Sequence, residues 1–457
     1  MRKELYGHEI SVLRDTFRRL LRRHAHTNIA KLVNKTHPAD LAILFRYFTD
    51  EEQKAVFEIV SRIEEVEDFL SELDDGILTS LLEEETAEII VSMFEKIGSN
   101  EQARILGLLP EELSSTILSL LHADDQEEVE ELMAYPEDSA GSMMYTDVFS
   151  LHKDTLAREA INALQDQEGA EMVFYLYVTD DDNQLVGVIS LRDLVTTPPE
   201  ARLEDVMIKN VHSVRAETDQ EEVARLVSRY NYVAVPVIDR DNHLLGIVTV
   251  DDVVDVIREE ATEDFLQMAG AGKDREILLK STLEESRLRF PWLFATWVGG
   301  LVASLIVSAF GQLLNEVIAL AAFIPIIAGM GGNIGTQSST IVVRGMATGR
   351  IDGGNDFKII FKELRVGLIL GAVYGLMLSL FAHYRYLDAP PALGLVAGLS
   401  ICITMLISTL MGTIMPIFLR KLDVDPAIAT GPFVTTSIDI LGVSLYFLIA
   451  AILLPMI

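Results

Sequence analysis

Cysteine is nearly absent from this sequence: Cys402 is the only one in 457 residues, and it lies in an apolar run. A single cysteine cannot form a disulfide within the chain, so packing and hydrogen bonds must hold the fold. A short apolar leader after Met1 is also missing, because the chain begins with charged residues instead. We therefore expect the water-soluble part of the chain to stay in the cytoplasm.

Catalytic patterns are missing as well. The sequence contains no phosphate-binding P-loop and no recognisable set of nucleophile, base and orienting residue. A membrane-tethered enzyme and a nucleotide-regulated adaptor are therefore disfavoured, and we expect no enzymatic activity.

Basic residues are scarce in the first part of the chain. The whole sequence has 37 Lys and Arg against 69 Asp and Glu, which gives a net charge of −32. From Phe290 to Ile457 the two signs balance, so residues 1–289 carry the entire excess. A surface this acidic repels nucleic acid and concentrates cations, although the same charge can serve solubility alone.

Residues 1–135 have the pattern of an acidic helical N domain. Residues 10–35 have the spacing of one amphipathic helix, with arginines on a face that contacts anionic lipid, stays solvated or docks on an acidic neighbour. Farther along, short apolar phrases recur, such as residues 40–45 and 75–82. Repetition of this kind indicates a small superhelix of short helices that bury their apolar faces against their neighbours.

A duplicated unit follows the N domain. Residues 187–193 (Gly-Val-Ile-Ser-Leu-Arg-Asp) align with residues 246–252 (Gly-Ile-Val-Thr-Val-Asp-Asp), each after a helix, a strand and an Asp-rich turn. The pattern predicts helices at 157–167 and 220–229, and strands at 172–178, 185–190, 233–238 and 245–249.

This duplication resembles a tandem pair of CBS domains, at residues 136–200 and 201–257. CBS domains are α+β modules that associate in pairs and often sense adenine nucleotides. The resemblance implies that the Ser/Thr-x-x-Asp step of each repeat holds a ribose, and a purely structural cleft is the alternative. The candidate residues for an ATP site are Ser190, Arg192, Asp193, Tyr232, Thr249 and Asp252.

Acidic residues line the next segment, 251–280, which we interpret as a connecting helix. Asp251, Asp255, Glu259 and Glu263 recur every four residues, so they stack like charges along one helix face. Carboxylate clusters of this kind suit hard divalent ions such as Mg²⁺. A solvated linker helix is the alternative.

Long stretches without charge dominate residues 281–457. Lys and Arg concentrate between the second and third stretches and between the fourth and fifth. By the positive-inside rule, the N-terminus and these connections are cytoplasmic and the C-terminus lies outside. The five stretches, each long enough or nearly so to span a bilayer, are 290–315, 317–343, 366–384, 389–419 and 426–457.

One acidic residue interrupts the last stretch. Asp439 lies roughly 20 Å along a helix from Asp425, near the middle of a bilayer. A charge there costs at least ~2.5 kcal/mol, so such a residue usually faces a partner or a water-filled path. Glycines and polar residues at 325–340, together with Pro416, Pro426, Gly431 and Pro432, predict broken helices whose freed carbonyls and hydroxyls line such a path. Close helix packing through these glycines is the alternative.

Residues 331–337 (Gly-Gly-Asn-Ile-Gly-Thr-Gln) and the segment from Asp425 to Asp439 resemble the membrane motifs of the MgtE magnesium channels and transporters. The resemblance covers essentially the whole chain. It implies a homodimer in the cell membrane whose pore, on the two-fold axis, holds Mg²⁺ at Asp439. It also implies closure when intracellular Mg²⁺ bridges the acidic soluble surfaces. The resemblance does not decide whether Mn²⁺ or Co²⁺ also passes. The alternative function is a divalent-cation carrier coupled to an ion gradient on the same scaffold.

The resemblance also assigns residues. Gly431 stands where a relative has asparagine, so this chain offers only its backbone there. The implied metal ligands are Asp439, Asp251, Asp252, Asp255, Glu259, Glu260, Glu263 and Glu221, with N-domain partners among Glu84, Glu85 and Glu88. The implied pore-lining residues are Gly331, Gly332, Asn333, Gly335, Thr336, Gln337, Gly431, Pro432 and Thr435. The predicted fold class is multidomain: a helical N domain, an α+β CBS pair and five transmembrane helices.

Overall fold

The computed structural model describes residues 2–63, 66–166, 174–274, 277, 280–351, 354, 356–422 and 424–456. The chain divides into two compact units, Met1–Ile257 and Arg258–Ile457. The first unit holds the helical N domain and the duplicated module. The second holds the long apolar helices.

Short helices build the N domain. The single helix predicted for residues 10–35 is wrong, because the chain turns at His24, whose φ of 50° lies in the left-handed region. The helices of the described residues are α1 (Arg2–Leu21), α2 (His26–Val33), α3 (Pro38–Phe45), α4 (Asp50–Val60), α5 (Val66–Ser71), α6 (Asp75–Leu82), α7 (Ala87–Phe94), α8 (Ser99–Leu108), α9 (Glu111–Leu118) and α10 (Ala123–Met133).

Capping and apolar spacing explain why these helices are short and stable. Thr49 begins α4 with a capping box, in which its hydroxyl accepts from the Glu52 N–H and the Glu52 carboxylate accepts from the Thr49 N–H. Apolar side chains from successive helices meet in one core, where the rings of Phe45 and Phe69 are 4.9 Å apart. Each helix therefore buries its apolar face only with its neighbours.

The duplicated module forms two three-stranded sheets of the same topology. In each sheet the first and second strands are parallel and the second and third are antiparallel. The elements in order are α11 (Ala140–Met143), β1 (Ser150–His152), α12 (Ala157–Asp166), β2 (Tyr175–Thr179), β3 (Leu185–Ser190), α13 (Leu191–Thr196), α14 (Leu203–Val206), β4 (Val214–Arg215), α15 (Gln220–Tyr230), β5 (Ala234–Ile238) and β6 (Leu244–Thr249).

The repeat pattern located most of these elements to within a residue or two. The short strands β1 and β4 were not predicted, because two or three residues are too few to show alternation. Residues 167, 172 and 173 of the predicted elements lie outside the described part of the chain. Gly246 of the repeated phrase is required by packing, because a Cβ there would lie 2.6 Å from the Tyr145 carbonyl oxygen.

The connecting helix is α16 (Val250–Met268), which follows β6 directly. It is shorter than the predicted 251–280 segment, since the chain turns at Gly270 with a φ of +69°. Glycine is favoured in this left-handed conformation.

Five helices of the described residues are long and apolar enough to cross a membrane. They comprise α17 (Thr282–Ala309), a span from Ile318 to Ala347, and three helices that follow. The short α18 (Gly311–Glu316) precedes the second span, which starts as a 3₁₀ segment and continues as α19 (Ile324–Ala347). The remaining three are α20 (Asp356–Arg385), α21 (Ala392–Arg420) and α22 (Gly431–Leu453).

The prediction of broken helices is wrong for α19 and α21. The first runs unbroken through its glycines, and the second continues through Pro416. Glycine serves close packing instead, because a Cβ on Gly412 would lie 2.2 Å from the Gly335 carbonyl oxygen. An interruption does precede α22, where the chain forms the 3₁₀ turn Pro426–Ala429.

Candidate metal and nucleotide sites

Asp439 lies in the third turn of α22 and is partly exposed. The basic residues nearest to it in sequence, Arg420 and Lys421, form ion pairs with Asp356 at 3.0 and 3.6 Å. Among the described residues, no basic side chain forms an ion pair with Asp439. Its carboxylate is therefore available to a cation.

The glycine-rich segment of α19 has two faces. Gly331 and Gly335 are buried, and Cβ atoms there would lie 3.0 and 2.2 Å from atoms of Ile438 on α22. These two predicted pore residues therefore lie in a helix interface within the protomer. On the other face Asn333 and Gln337 are exposed and Thr336 is partly exposed.

The other predicted pore residues lie near the start of α22. Gly332 is buried, and its Cβ would be 3.7 Å from Thr435. The Thr435 hydroxyl donates to the Gly431 carbonyl oxygen at 3.1 Å, so it is already used within the helix. Pro432 follows Gly431 in the first turn of α22.

The end of α16 packs closely on the start of α22. A Cβ on Gly431 would lie 2.5 Å from the Met268 carbonyl oxygen and 3.4 Å from the Gly270 nitrogen. A Cβ on Gly270 would lie 2.6 Å from Pro432. The missing side chain at Gly431 is thus explained by packing, since only glycine lets the connecting helix approach the helix that carries Asp439.

Acidic side chains converge beside this contact. The Gln267 amide donates to Glu263 at 2.9 Å and to Asp425 at 2.6 Å, which draws two carboxylates together. Lys273 lies 3.0 Å from Glu263 and 3.8 Å from Asp425 and compensates part of their charge. We call Glu260, Glu263, Asp264 and Asp425 the inner acidic cluster.

Asp264 shows the electrostatic cost of this cluster. Burial, and then the charges of Asp425 and Glu260, raise its pKa to about 6, although Arg344 acts in the opposite direction. A carboxyl group with such a pKa is one whose ionised form is disfavoured by its surroundings. A divalent cation would relieve this repulsion, and the oxygen ligands present are those that Mg²⁺ prefers.

The other predicted ligands on α16 differ in exposure. Asp251, Asp255 and Glu259 are exposed along the helix, as the spacing of four residues requires. Asp252 instead faces the duplicated module, where it accepts from the Thr249 hydroxyl at 2.5 Å and from Tyr145 at 3.5 Å. Burial raises the pKa of Asp252, and the Thr249 hydrogen bond opposes the shift.

The candidate ligands of the first unit outside α16 lie on two short helices and in the turn after α6. Glu221 is in the first turn of α15 and lies 3.4 Å from Arg225. Glu84 lies 2.5 Å from Lys54, and Glu88 is in the first turn of α7. A bond to a backbone N–H lowers the pKa of Glu88.

The two repeats place their Ser/Thr-x-x-Asp steps at equivalent positions. The Ser190 hydroxyl donates to Asp193 at 2.7 Å, as Thr249 does to Asp252. Each pair lies where an antiparallel strand ends and a helix begins. The fold therefore presents two matched hydroxyl–carboxylate pairs that could bind ribose hydroxyls.

The second repeat, which contains the Thr249–Asp252 pair, also contains a group of aromatic residues. The ring of Tyr232 stacks on Tyr230 with centroids 5.5 Å apart, and its hydroxyl lies 2.5 Å from His212 Nδ1. Arg192 is exposed on α13. Tyr230 and His212 were not among the predicted residues, because stacking between them requires the fold.

A further acidic group lies in the turn between β5 and β6. Ligand atoms of Asp239, Asp241 and His243 all lie within 4.8 Å of one another. The turn itself explains this grouping, since the Asp239 carboxylate accepts from the backbone N–H groups of the other two residues at 2.8 Å. The equivalent turn of the first repeat has the same Asp-capped geometry at Asp180, without a histidine.

Comparisons with known proteins agree with this architecture. A model of the MgtE divalent cation transporter family matches residues 324–449, one of the MgtE intracellular N domain matches 36–138, and the CBS domain model matches 140–199 and 203–259. The chain is 36% identical over 432 residues to the magnesium transporter MgtE of Bacillus subtilis, covering 94% of this chain and 95% of that protein.

Two more similarities cover large parts of the chain. The magnesium transporter MgtE of Thermus thermophilus is 38% identical over 73% of this chain and 74% of its own length. The crystal structure of the soluble part of a magnesium transporter aligns with a TM-score of 0.50 and 30% identity, over 55% of this chain and 99% of that one.

These matches, with the five apolar helices and the intracellular N domain, define a multi-pass divalent cation transporter. The chain belongs to the MgtE family. The predicted resemblance and fold class are thereby confirmed. So is the prediction that the chain is a transporter and not an enzyme.

Proposed function

We propose that this chain is a Mg²⁺-selective channel whose pore contains Asp439. The observation that carries the proposal is a carboxylate on an apolar helix with no ion-pair partner among the described residues. Its α22 helix packs on α19, whose Asn333 and Gln337 are exposed. Curated relatives at 36% and 38% identity are named magnesium transporters. Octahedral Mg²⁺ gives up its bound waters reluctantly. Carboxylate and amide oxygens can accept hydrogen bonds from these waters.

The pore of this proposal lies between two copies of the chain. The exposed face of α19 is polar, and a polar face inside a bilayer needs a protein or water neighbour. A second copy related by a two-fold axis would enclose these faces and bring two Asp439 carboxylates to one path. In this proposal the protein lies in the cell membrane, and the charges of its loops place the C-terminus outside.

The test of the pore is Asp439→Ala in purified protein reconstituted into liposomes. We expect Mg²⁺ uptake to fall at least tenfold, because no other acidic side chain of the last helix replaces it. Asp388→Asn, in the exposed loop between α20 and α21, is the matched control and retains uptake. Wild-type uptake by the Asp439 variant would exclude the pore assignment.

We further propose that intracellular Mg²⁺ closes this pore. The inner acidic cluster lies beside the Gly431–Met268 contact, so a cation that neutralises it stabilises α16 on the start of α22. The exposed acids Asp251, Asp255 and Glu259, with Glu221, supply further ligands on the soluble side. Differential binding of the ion to the closed state is what such a switch requires.

Gating is tested by patch-clamp recording while cytoplasmic Mg²⁺ is varied. Glu263→Gln with Asp425→Asn is expected to need at least tenfold more Mg²⁺ for half closure, since two of the converging charges are gone. Closure at the wild-type concentration would refute the role of this cluster.

ATP is the proposed ligand of the CBS pair, held through Ser190, Asp193, Thr249 and Asp252. Mn²⁺ and Co²⁺ are further candidates for permeation, and Mn²⁺ shares with Mg²⁺ a preference for carboxylate, carbonyl and water ligands. A carrier coupled to an ion gradient is the second candidate function. Flux that changes with an imposed proton or sodium gradient at constant voltage would favour the carrier over the channel.

A further inference from the structure

Glu363 is a buried carboxylate in the third membrane-spanning helix that the proposed pore and gate do not use. It lies on α20, about 10 Å along the helix from Asp356, and only 4% of its surface is exposed. Glu363 lies among the charged residues at the start of α20, before the uncharged stretch 366–384, and a buried carboxylate there needs a hydrogen-bond or charge partner.

The partner of Glu363 is a hydroxyl on α19. Ser338 Oγ donates to Glu363 Oε2 at 3.1 Å, and Ser338 is itself only 2% exposed. No basic side chain among the described residues forms an ion pair with Glu363, and Arg420 and Lys421 pair with Asp356. Removal of the hydroxyl would therefore leave a buried carboxylate without its donor.

The position of Ser338 in α19 gives this hydrogen bond a directional effect. Ser338 is seven residues, or about two turns, after Gly331, so both lie on the buried face. Asn333, Gln337 and Thr340 lie on the exposed face. Buried apolar side chains such as Ile334 and Val342 also hold α19 in place, and the Ser338 hydrogen bond adds a directional contact from this helix to α20.

We propose that the Ser338–Glu363 hydrogen bond sets the rotation of α19 about its axis and so aims Asn333 and Gln337. Glu363 is then a positioning residue that acts through Ser338. Its importance for permeation rests on the proposed pore, whereas the rotation itself does not.

The rotation can be read from thiol labelling, because the chain has a single native cysteine. In a Cys402→Ser background, Thr340→Cys tests an exposed position and Ser339→Cys tests a position that is 0% exposed. With a water-soluble thiosulfonate and the full chain in nanodiscs, we expect the first to react at least tenfold faster. Glu363→Leu should reduce this ratio roughly tenfold, and Ser338→Ala should do the same.

Conservative variants separate position from charge. Glu363→Gln retains an acceptor oxygen for Ser338, and Ser338→Thr retains the donor, so both should keep the wild-type labelling ratio and Mg²⁺ flux. An unchanged ratio in both Glu363→Leu and Ser338→Ala would overturn the proposal. Loss of flux in Glu363→Gln with a wild-type ratio would also overturn it, since charge and not position would then matter.

The labelling ratio is measured separately from Mg²⁺ flux. If the wild-type chain carried no Mg²⁺ but the ratio responded to Ser338→Ala, the pore proposal would fail and the positioning role would stand. If flux were normal and the ratio did not respond, only the positioning role would fail.

Discussion

Gly431 is the residue at which a small change should most directly affect gating. Its Cβ in a Gly431→Ala variant would lie 2.5 Å from the Met268 carbonyl oxygen. Carbon–oxygen contacts in proteins are about 3.3–3.6 Å, so the end of α16 must move by roughly 1 Å. The neighbouring turn has little freedom to adapt, because Gly270 already has a φ of +69° and packs against Pro432.

Overpacking of this size costs about 1–3 kcal/mol. If contact between α16 and α22 favours the closed state, the Mg²⁺ concentration for half closure should rise roughly five- to 150-fold. Patch-clamp recording against cytoplasmic Mg²⁺ measures this shift directly. Maximal current at low Mg²⁺ should change little, since the exposed face of α19 is not touched.

The matched control is Gly300→Ala on α17, where a Cβ meets nothing within 4 Å. This variant should close at the wild-type Mg²⁺ concentration. If Gly431→Ala also closes at that concentration, with normal expression and thermal stability, the contact is not part of the gate. The reasoning would then be refuted even if the inner acidic cluster binds the ion.

Three further predictions follow from other contacts. Without divalent ions, the melting temperature of the full chain should fall by roughly 1–2 °C as pH rises from 5 to 7.5, because the folded pKa of Asp264, about 6, lies above its ordinary 3.8 and ionisation is disfavoured. Asp264→Asn should flatten this part of the profile, and an unchanged slope would count against the assignment. Thr249→Val should weaken ATP binding about tenfold by calorimetry while Thr196→Val does not, since only Thr249 donates to Asp252; equal affinities would exclude this step from the site. Gly412→Ala should reduce severalfold the yield of folded protein measured by size-exclusion chromatography, because its Cβ would lie 2.2 Å from the Gly335 carbonyl oxygen. A normal yield would show that α19 and α21 can move apart at little cost in free energy.

Elements defined by local patterns were predictable from the residues. Hydropathy located five spans, and the repeated Gly-Val-Ile-Ser phrase located the CBS pair. Of the four acids predicted to stack along α16, Asp251, Asp255 and Glu259 are exposed, whereas Glu263 is partly buried beside Gln267. The turn at His24 was missed although the large apolar residues stop at Leu21 and resume only at Ile29.

The sequence by itself determined the membrane spans, the acidic soluble part, the duplicated module and the unusual depth of Asp439. Each of these depends on composition or on a period within a few residues. Only the tertiary structure decided that Asp425 meets Gln267, that Gly431 admits the end of α16, and that Glu363 is held by Ser338. These contacts join residues far apart in the chain, and helix packing, not local periodicity, brings their atoms together.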